Sequence, residues 1–251
     1  EAQNIEVVQD QVTSVSTKKR SVAFRSGNHR DYDRLLVATG SSAISPPIEG
    51  IDLPGVHSCW TLEDARAIAT RAVPGSKVVL MGAGFIGCII LEALASRGVD
   101  LTVVELENRM VPRMMNQESG GLIKTWCESR GVSVLTSTRV EGIGSGQRLE
   151  VSLSEGNTLE ADLVISATGV RSNTEFLKDS GVEVDQGILV NEHLNTSCED
   201  VFAAGDVCQG RDFSTGAYSV QAIQPTAVEH GKVAASNMVD GQEVIHRGCL
   251  N

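Results

Sequence analysis

Six consecutive residues, Gly82-Ala83-Gly84-Phe85-Ile86-Gly87, have the clearest chemical meaning in this chain, and the carboxylate of Glu105 follows Gly82 by 23 positions. A Gly-x-Gly-x-x-Gly string is weak evidence by itself in a chain with 25 glycines. Its context is specific: it follows an apolar run at residues 77–81, opens a helical pattern over 85–97, and is answered by an acid at the end of the next apolar run, 101–104. Each glycine has its own task. Gly82 permits a tight turn, Gly84 lets the main chain approach a pyrophosphate, and Gly87 lets the helix pack closely on its strand. Main-chain N–H groups at the helix start, where Phe85 and Ile86 stand, then favour phosphate. Glu105 is placed to accept hydrogen bonds from the two adenine-ribose hydroxyls, and its charge repels a 2′-phosphate, so NAD(H) is expected in preference to NADP(H). Arg109 and Arg113 bear on that preference, because a nearby guanidinium can take up the extra phosphate; the plain alternative for each is a solvated surface charge.

Such a loop must be held by a strand, a helix and a second strand, and the pattern supplies them. Residues 77–81 read as a buried strand, 85–97 as a helix stopped by Gly98, and 101–104 as the next strand. A helix around 122–130 closed by Gly131, a strand at 132–135, a meander over 140–159 and a buried strand at 163–167 follow. This alternation predicts an α/β fold: a Rossmann-like parallel sheet covered on both faces, with an antiparallel β-meander. Upstream, alternation at 5–8, 12–15 and 22–24 predicts a smaller meander before a buried strand at 32–38. Residues 41–54 hold three of the six prolines and read as a linker, with a new domain starting near Thr61. Thr61 and Asp64 have the spacing of a capping box for a short helix to about Arg71. Beyond Gly169, residues 188–190 and 201–204 are strand-like, and 225–239 is helical with Pro225 in its first turn.

One unit occurs twice. The eight residues Asp33 to Gly40 recur as Asp162 to Gly169, and the same offset of 129 carries Gly27-Asn28 onto Gly156-Asn157 and Val22 onto Val151. Two units imply two dinucleotides, whereas a one-nucleotide dehydrogenase would need a polar substrate pocket and a proton-relay histidine. Gly82 precedes Gly169 by 87 positions, but only 39 residues precede Gly40, so the first copy lacks its phosphate-binding half. With Glu1 rather than Met at its start, the chain reads as a piece of a longer protein.

The doubled pattern resembles the flavin- and pyridine-nucleotide-dependent disulfide oxidoreductase superfamily over nearly the whole chain. Residues 109–115 (Arg-Met-Val-Pro-Arg-Met-Met), 121–128 (Gly-Leu-Ile-Lys-Thr-Trp-Cys-Glu) and 169–175 (Gly-Val-Arg-Ser-Asn-Thr-Glu) are most similar to its NADH-linked branch. That branch includes rubredoxin and ferredoxin reductases and the flavoprotein portion of assimilatory nitrite reductases. The resemblance implies hydride transfer from NADH to FAD in the intact protein, with electrons passing on to a protein or small-molecule acceptor. It implies that Thr39 and Gly40 lie where the flavin domain hands over to the nicotinamide domain, and that Gly169 lines the NADH cleft. By the same resemblance Gly205 and Asp206 hold FAD, the aspartate through a ribityl hydroxyl. The resemblance also implies that Pro225 and Thr226 begin a helix whose positive end faces the flavin pyrimidine edge, which would stabilise negative charge by on the order of 0.3–2 kcal/mol. Val12 and Val140, at equivalent meander positions, would offer backbone groups to the two adenines. Plain alternatives stand beside these: Asp206 as a turn residue, Pro225 as the start of a surface helix, and both valines as strand core.

The implied organisation is a partial FAD-binding domain over 1–60, a NAD(H)-binding Rossmann-like domain over 61–171, and a return to the FAD-binding domain over 172–251 with the start of a further C-terminal domain. That further domain usually completes the flavin pocket and a homodimer, and the chain stops ten residues after Gly241. For the piece itself the competing expectation is a NAD(H)-binding module that does not hold FAD. In one respect the chain departs from the family: the glutamate often found two residues after the last loop glycine is Ile89 here, with Glu92 three residues further on. No catalytic side chain is assigned, because the cofactors carry the hydride chemistry.

A net charge of −11 excludes nucleic acid and an anionic membrane surface as default partners. No run of 18 apolar residues and no basic-then-apolar start are present, so neither a membrane span nor export is expected, and a cytoplasmic location follows. Six cysteines are scattered without metal-site spacing and read mostly as small core residues. His29, His57, His193, His230 and His246 read as isolated surface or capping residues, and no metal is expected.

Overall fold

A computed structural model describes residues 5–239 and 243–248. The first strands are β1 (Val12–Ser16), β2 (Ser21–Phe24), β3 (His29–Asp31), β4 (Leu35–Val37), β5 (Ser41–Ala43) and β6 (Val56–Ser58). The central stretch holds α1 (Leu62–Arg71), β7 (Lys77–Met81), α2 (Phe85–Ser96), β8 (Asp100–Val104), α3 (Gln117–Ser129) and β9 (Ser133–Leu135). Next come β10 (Val140–Ser145), β11 (Leu149–Leu153), β12 (Thr158–Ala161), β13 (Leu163–Ser166) and β14 (Val170–Ser172). The last elements are β15 (Ile188–Leu189), β16 (Val201–Ala203), β17 (Cys208–Arg211), β18 (Tyr218–Val220) and α4 (Gln224–Asn237). Residues 43–170 form one compact unit, and residues 1–42 with 171–251 form another.

In the unit of residues 43–170 a parallel sheet runs in the order β6-β13-β7-β8-β9. Successive side chains of a strand point to opposite faces. On one face Val78, Leu80, Leu101, Val103, Leu163 and Ile165 meet Ile68 of α1, Leu91 and Leu94 of α2 and Cys127 of α3. On the other, Val79, Met81 and Val164 meet Val140, Ile143, Val151 and Leu153 of the meander β10-β11-β12. Helices thus cover one face and the meander covers the other, which is why these strands read as unbroken apolar runs. The capping box at α1 forms: Thr61 Oγ1 accepts the Asp64 N–H at 3.1 Å and Asp64 Oδ2 accepts the Thr61 N–H at 2.8 Å.

The division expected after residue 60 falls instead after residue 42. Ile48, Ile51, Leu53 and Val56 pack against the meander core, and β6 joins the sheet beside β13. Prolines gave the segment the composition of a linker, but the partly buried apolar residues between and after them hold it against the meander.

In the other unit β1-β2-β3 form a second meander, β4 pairs in parallel with β16, and β15-β17-β18 make a small sheet. Val37, Ile188, Val201, Ala203 and Val207 close its core against Val233 and Ala234 of α4. Both meanders carry a register shift at the same place, between Val12 and Ser14 in β1 and between Val140 and Gly142 in β10. Residues 5–8 are not a strand, contrary to their alternation, and Ile5 and Val7 are 71% and 87% exposed. β1 pairs with β2 and β2 with β3, so the meander is built without them.

Cys127 and Cys208 are buried, and Cys59, Cys88 and Cys198 are half-buried free thiols. Burial pushes the Cys88 thiol up to about 11, which keeps it protonated and unreactive. Cys249 and Gly241 lie outside the described residues.

Candidate functional site

β7 ends at Met81, and the chain turns at Gly82 with φ +99°. A Cβ at Gly82 would stand 2.6 Å from the Ala167 carbonyl oxygen, and one at Gly87 would stand 2.1 Å from the Gly82 carbonyl oxygen. Around a Cβ at Gly84 nothing lies within 4 Å. The outer two glycines are therefore required by close main-chain contacts, while the middle one faces open space. Gly84 is the N-cap of α2 and supplies no side-chain cap, so the first-turn N–H groups, including those of Phe85 and Ile86, are available to an anion. A pyrophosphate fits this cradle.

Glu105 follows directly on β8 and is only 6% exposed. Its Oε2 accepts the Ala83 N–H at 2.6 Å and its Oε1 accepts the Glu107 N–H at 2.8 Å. The carboxylate therefore braces the glycine loop from beneath, a task its spacing alone does not reveal. Ala83 is held on its other side as well, its carbonyl accepting the Val111 N–H at 2.8 Å.

Arg109 folds back onto its own loop. Its Nε donates to the Met115 carbonyl at 2.7 Å, Nη2 to the Pro112 carbonyl at 2.9 Å, and Nη1 to Asn108 Oδ1 at 2.9 Å. Three of the five guanidinium N–H donors tie the arginine to its own loop, so it is not the freely solvated surface charge of the plain alternative. Arg113 is exposed. Val140 places its side chain in the core beside the register shift of β10. Gly169 adopts φ +126°, and its carbonyl accepts the Ile44 N–H at 3.0 Å.

A second cluster forms in the unit of residues 1–42 and 171–251. Gly40 takes φ +64°, and its carbonyl accepts the Asn173 N–H at 3.0 Å. Thr39 Oγ1 donates to the Asn173 carbonyl at 2.8 Å, Asn173 Nδ2 donates to the Thr39 carbonyl at 2.9 Å, and Ser42 Oγ donates to Asn173 Oδ1 at 2.8 Å. After β16 a 3-10 turn spans Gly205–Val207, with Gly205 at φ +78°. Asp206 Oδ2 accepts from Ser41 Oγ at 3.0 Å, and the Asp206 carbonyl accepts from Ser172 Oγ at 2.8 Å. Thr39, Gly40 and Asp206 are in this way gathered through Ser41, Ser172 and Asn173. Ser172 and Asn173 lie in the stretch 169–175 that carried the resemblance; Ser41 has no signal of its own. α4 starts with Pro225 in its first turn and no side-chain cap, and Thr226 is buried. An uncapped helix start and a half-buried carboxylate beside a positive-φ glycine suit a polar, anionic cofactor such as FAD.

The histidines are not all isolated. His230 is fully buried in α4, its Nδ1 accepts the Gly205 N–H at 3.3 Å, and its ring meets that of His246 edge to face at 4.4 Å. Burial, reinforced by His246 and opposed by Glu229, lowers the His230 pKa to about 4. Helical periodicity on α4 turns this residue into the core, which a surface assignment overlooked. Among the described residues no helix is long and apolar enough to cross a membrane.

Comparison with known proteins agrees with this geometry. The family model for pyridine nucleotide-disulphide oxidoreductases matches residues 1–231. The chain is 35% identical over 243 residues to an NADH oxidase of Methanocaldococcus jannaschii, covering 94% of this chain and 54% of that protein. It is 31% identical over 229 residues to the ferredoxin–NAD(+) reductase component of the biphenyl dioxygenase system of Paraburkholderia xenovorans, covering 91% and 56%. The structure of a NAD-dependent persulfide reductase from A. fulgidus superposes with a TM-score of 0.92 at 31% identity, covering 98% of this chain and 47% of that one. The chain spans about half the length of the curated relatives it matches. A glycine loop braced by an acid, a duplicated strand-and-glycine unit and a family match over most of the sequence place the chain in the pyridine nucleotide-disulphide oxidoreductase family.

Proposed function

We propose that the chain is the nucleotide-handling part of an NADH-dependent flavoprotein oxidoreductase, in which hydride passes from NADH to FAD and electrons go on to an acceptor. Residues 43–170 would bind NADH through the loop Gly82–Gly87, Glu105, the bulge at Val140 and Gly169. Thr39, Gly40, Gly205, Asp206, Pro225 and Thr226 would serve FAD. The redox chemistry belongs to the two nucleotides; the chain binds and orients them. Support comes from relatives named as an NADH oxidase, a ferredoxin–NAD(+) reductase and a NAD-dependent persulfide reductase, which share the coenzyme and differ in acceptor.

The observation that carries the coenzyme preference is the position of Glu105. Its buried carboxylate ends β8 against the loop while Arg109 is tied to its own turn, an arrangement that favours a 2′-hydroxyl over a 2′-phosphate. Calorimetric titration should show NADH binding more tightly than NADPH. Absence of heat with NADH would refute the reading.

A narrower reading, a NAD(H)-binding module without FAD, is favoured by one observation, that residues 43–170, with the glycine loop and Glu105, form a compact unit of their own. Purified protein decides between them: flavin absorbance that NADH bleaches anaerobically supports the flavoprotein, and NADH binding in colourless protein that takes up no added FAD supports the module.

A further inference from the structure

We infer that His230 is a positioning residue for the Gly205–Asp206 turn: through Nδ1 its neutral imidazole accepts the Gly205 N–H and so sets where Asp206 presents its carboxylate. The consequence for cofactor binding rests on the reading of Asp206 as an FAD ligand; the positioning itself does not.

Three observations support this. The Gly205 N–H points at His230 Nδ1 at 3.3 Å, and a Cβ at Gly205 would stand 3.5 Å from the Ala227 Cβ, so the turn lies directly on the first turns of α4. The ring has no solvent exposure, yet its Nε2 has no hydrogen-bond partner among the described residues. Leaving a buried polar atom unpaired is costly, and an apolar side chain at this place would avoid it. What imidazole supplies and leucine cannot is an acceptor at Nδ1, which requires the proton to sit on Nε2.

The charge state follows from the same geometry. Protonation would turn Nδ1 into a donor facing a donor, and the turn would lose its tether. His246, edge-on to the ring, and Glu229 on the same helix are the titratable groups acting on His230, while Asp206 lies in the turn it holds. Burial and His246 keep the ring neutral down to about 4.

The test uses the full chain labelled with 15N. Nitrogen shifts at neutral pH should show Nε2 of His230 protonated and Nδ1 bare, with the Gly205 amide protected from exchange until pH falls through about 4. His230→Phe keeps a ring without the acceptor, and His230→Asn keeps an acceptor near the Nδ1 position without the ring. The first should expose the Gly205 amide and weaken FAD binding by about tenfold; the second should restore both to within about threefold, and neither should change the NADH titration. A proton on Nδ1, or equal Gly205 protection in wild type and His230→Phe, overturns the inference. Should His230→Phe not fold, the tautomer and Gly205 protection of the native chain decide. If no form binds FAD while Gly205 protection still follows the acceptor, the flavin reading fails and the positioning role stands.

Discussion

Glu105 Oε2 accepts the Ala83 N–H at 2.6 Å, so the acid after β8 and the glycine loop after β7 form one hydrogen-bonded unit. A residue with the spacing of a ribose ligand therefore also holds the glycine loop in its shape.

Glu105→Gln should reveal both roles. The amide retains one acceptor oxygen, so one of the two N–H groups, of Ala83 or Glu107, loses its partner inside the protein. Thermal unfolding should report a loss of about 1–3 kcal/mol. Calorimetry should show weaker NADH binding and a smaller preference over NADPH; an unchanged melting temperature would mean that the brace contributes nothing.

Gly84→Ala and Gly87→Ala should separate binding from folding. A Cβ at Gly84 meets nothing within 4 Å, and the residue already has φ −72°, so the variant should lose at most about 1 kcal/mol, as for a poorer N-cap, yet obstruct the pyrophosphate. A Cβ at Gly87 would stand 2.1 Å from the Gly82 carbonyl oxygen and should destabilise by about 1–3 kcal/mol or more through forced backbone shifts. Melting curves beside NADH titrations check the pair.

Arg109→Ala should loosen residues 108–115 and cost about 1–2 kcal/mol, since three acceptors lose a charged donor at the loop surface. The NADH-to-NADPH affinity ratio should stay the same. A marked fall in NADPH affinity in the variant would show that the guanidinium leaves its own loop to meet the coenzyme.

Acid should weaken the fold partly through His230. Its pKa in the folded chain, about 4, lies below the ordinary 6.5, so between those values the unfolded chain binds more protons. The contribution is full above about pH 6.5 and is lost as pH falls through about 4, on the order of 3 kcal/mol in all. Urea unfolding of wild type and His230→Asn across that range should show the extra acid sensitivity only in the wild type.

Much of the molecule was legible from local pattern. The loop glycines, the acid 23 positions on, the Thr61–Asp64 cap and the duplicated Asp33–Gly40 unit are recognisable because backbone sterics and strand or helix periodicity act over a few residues. Tertiary structure decided which distant donor meets which acceptor. Asn173 holds Gly40 and Ile44 holds Gly169 through equivalent 3.0 Å bonds, and the two donors are themselves 129 positions apart, so the duplication extends to contacts that no linear comparison displays. Only packing folded Arg109 back onto its own loop, buried His230 beneath Gly205 and drew residues 43–60 onto the meander. The chain by itself determined the fold class and the glycine loop between β7 and α2, because both rest on short-range geometry. The tertiary structure alone decided what braces that loop and the Asp206 turn, because those partners meet only when separate elements bury their apolar faces together.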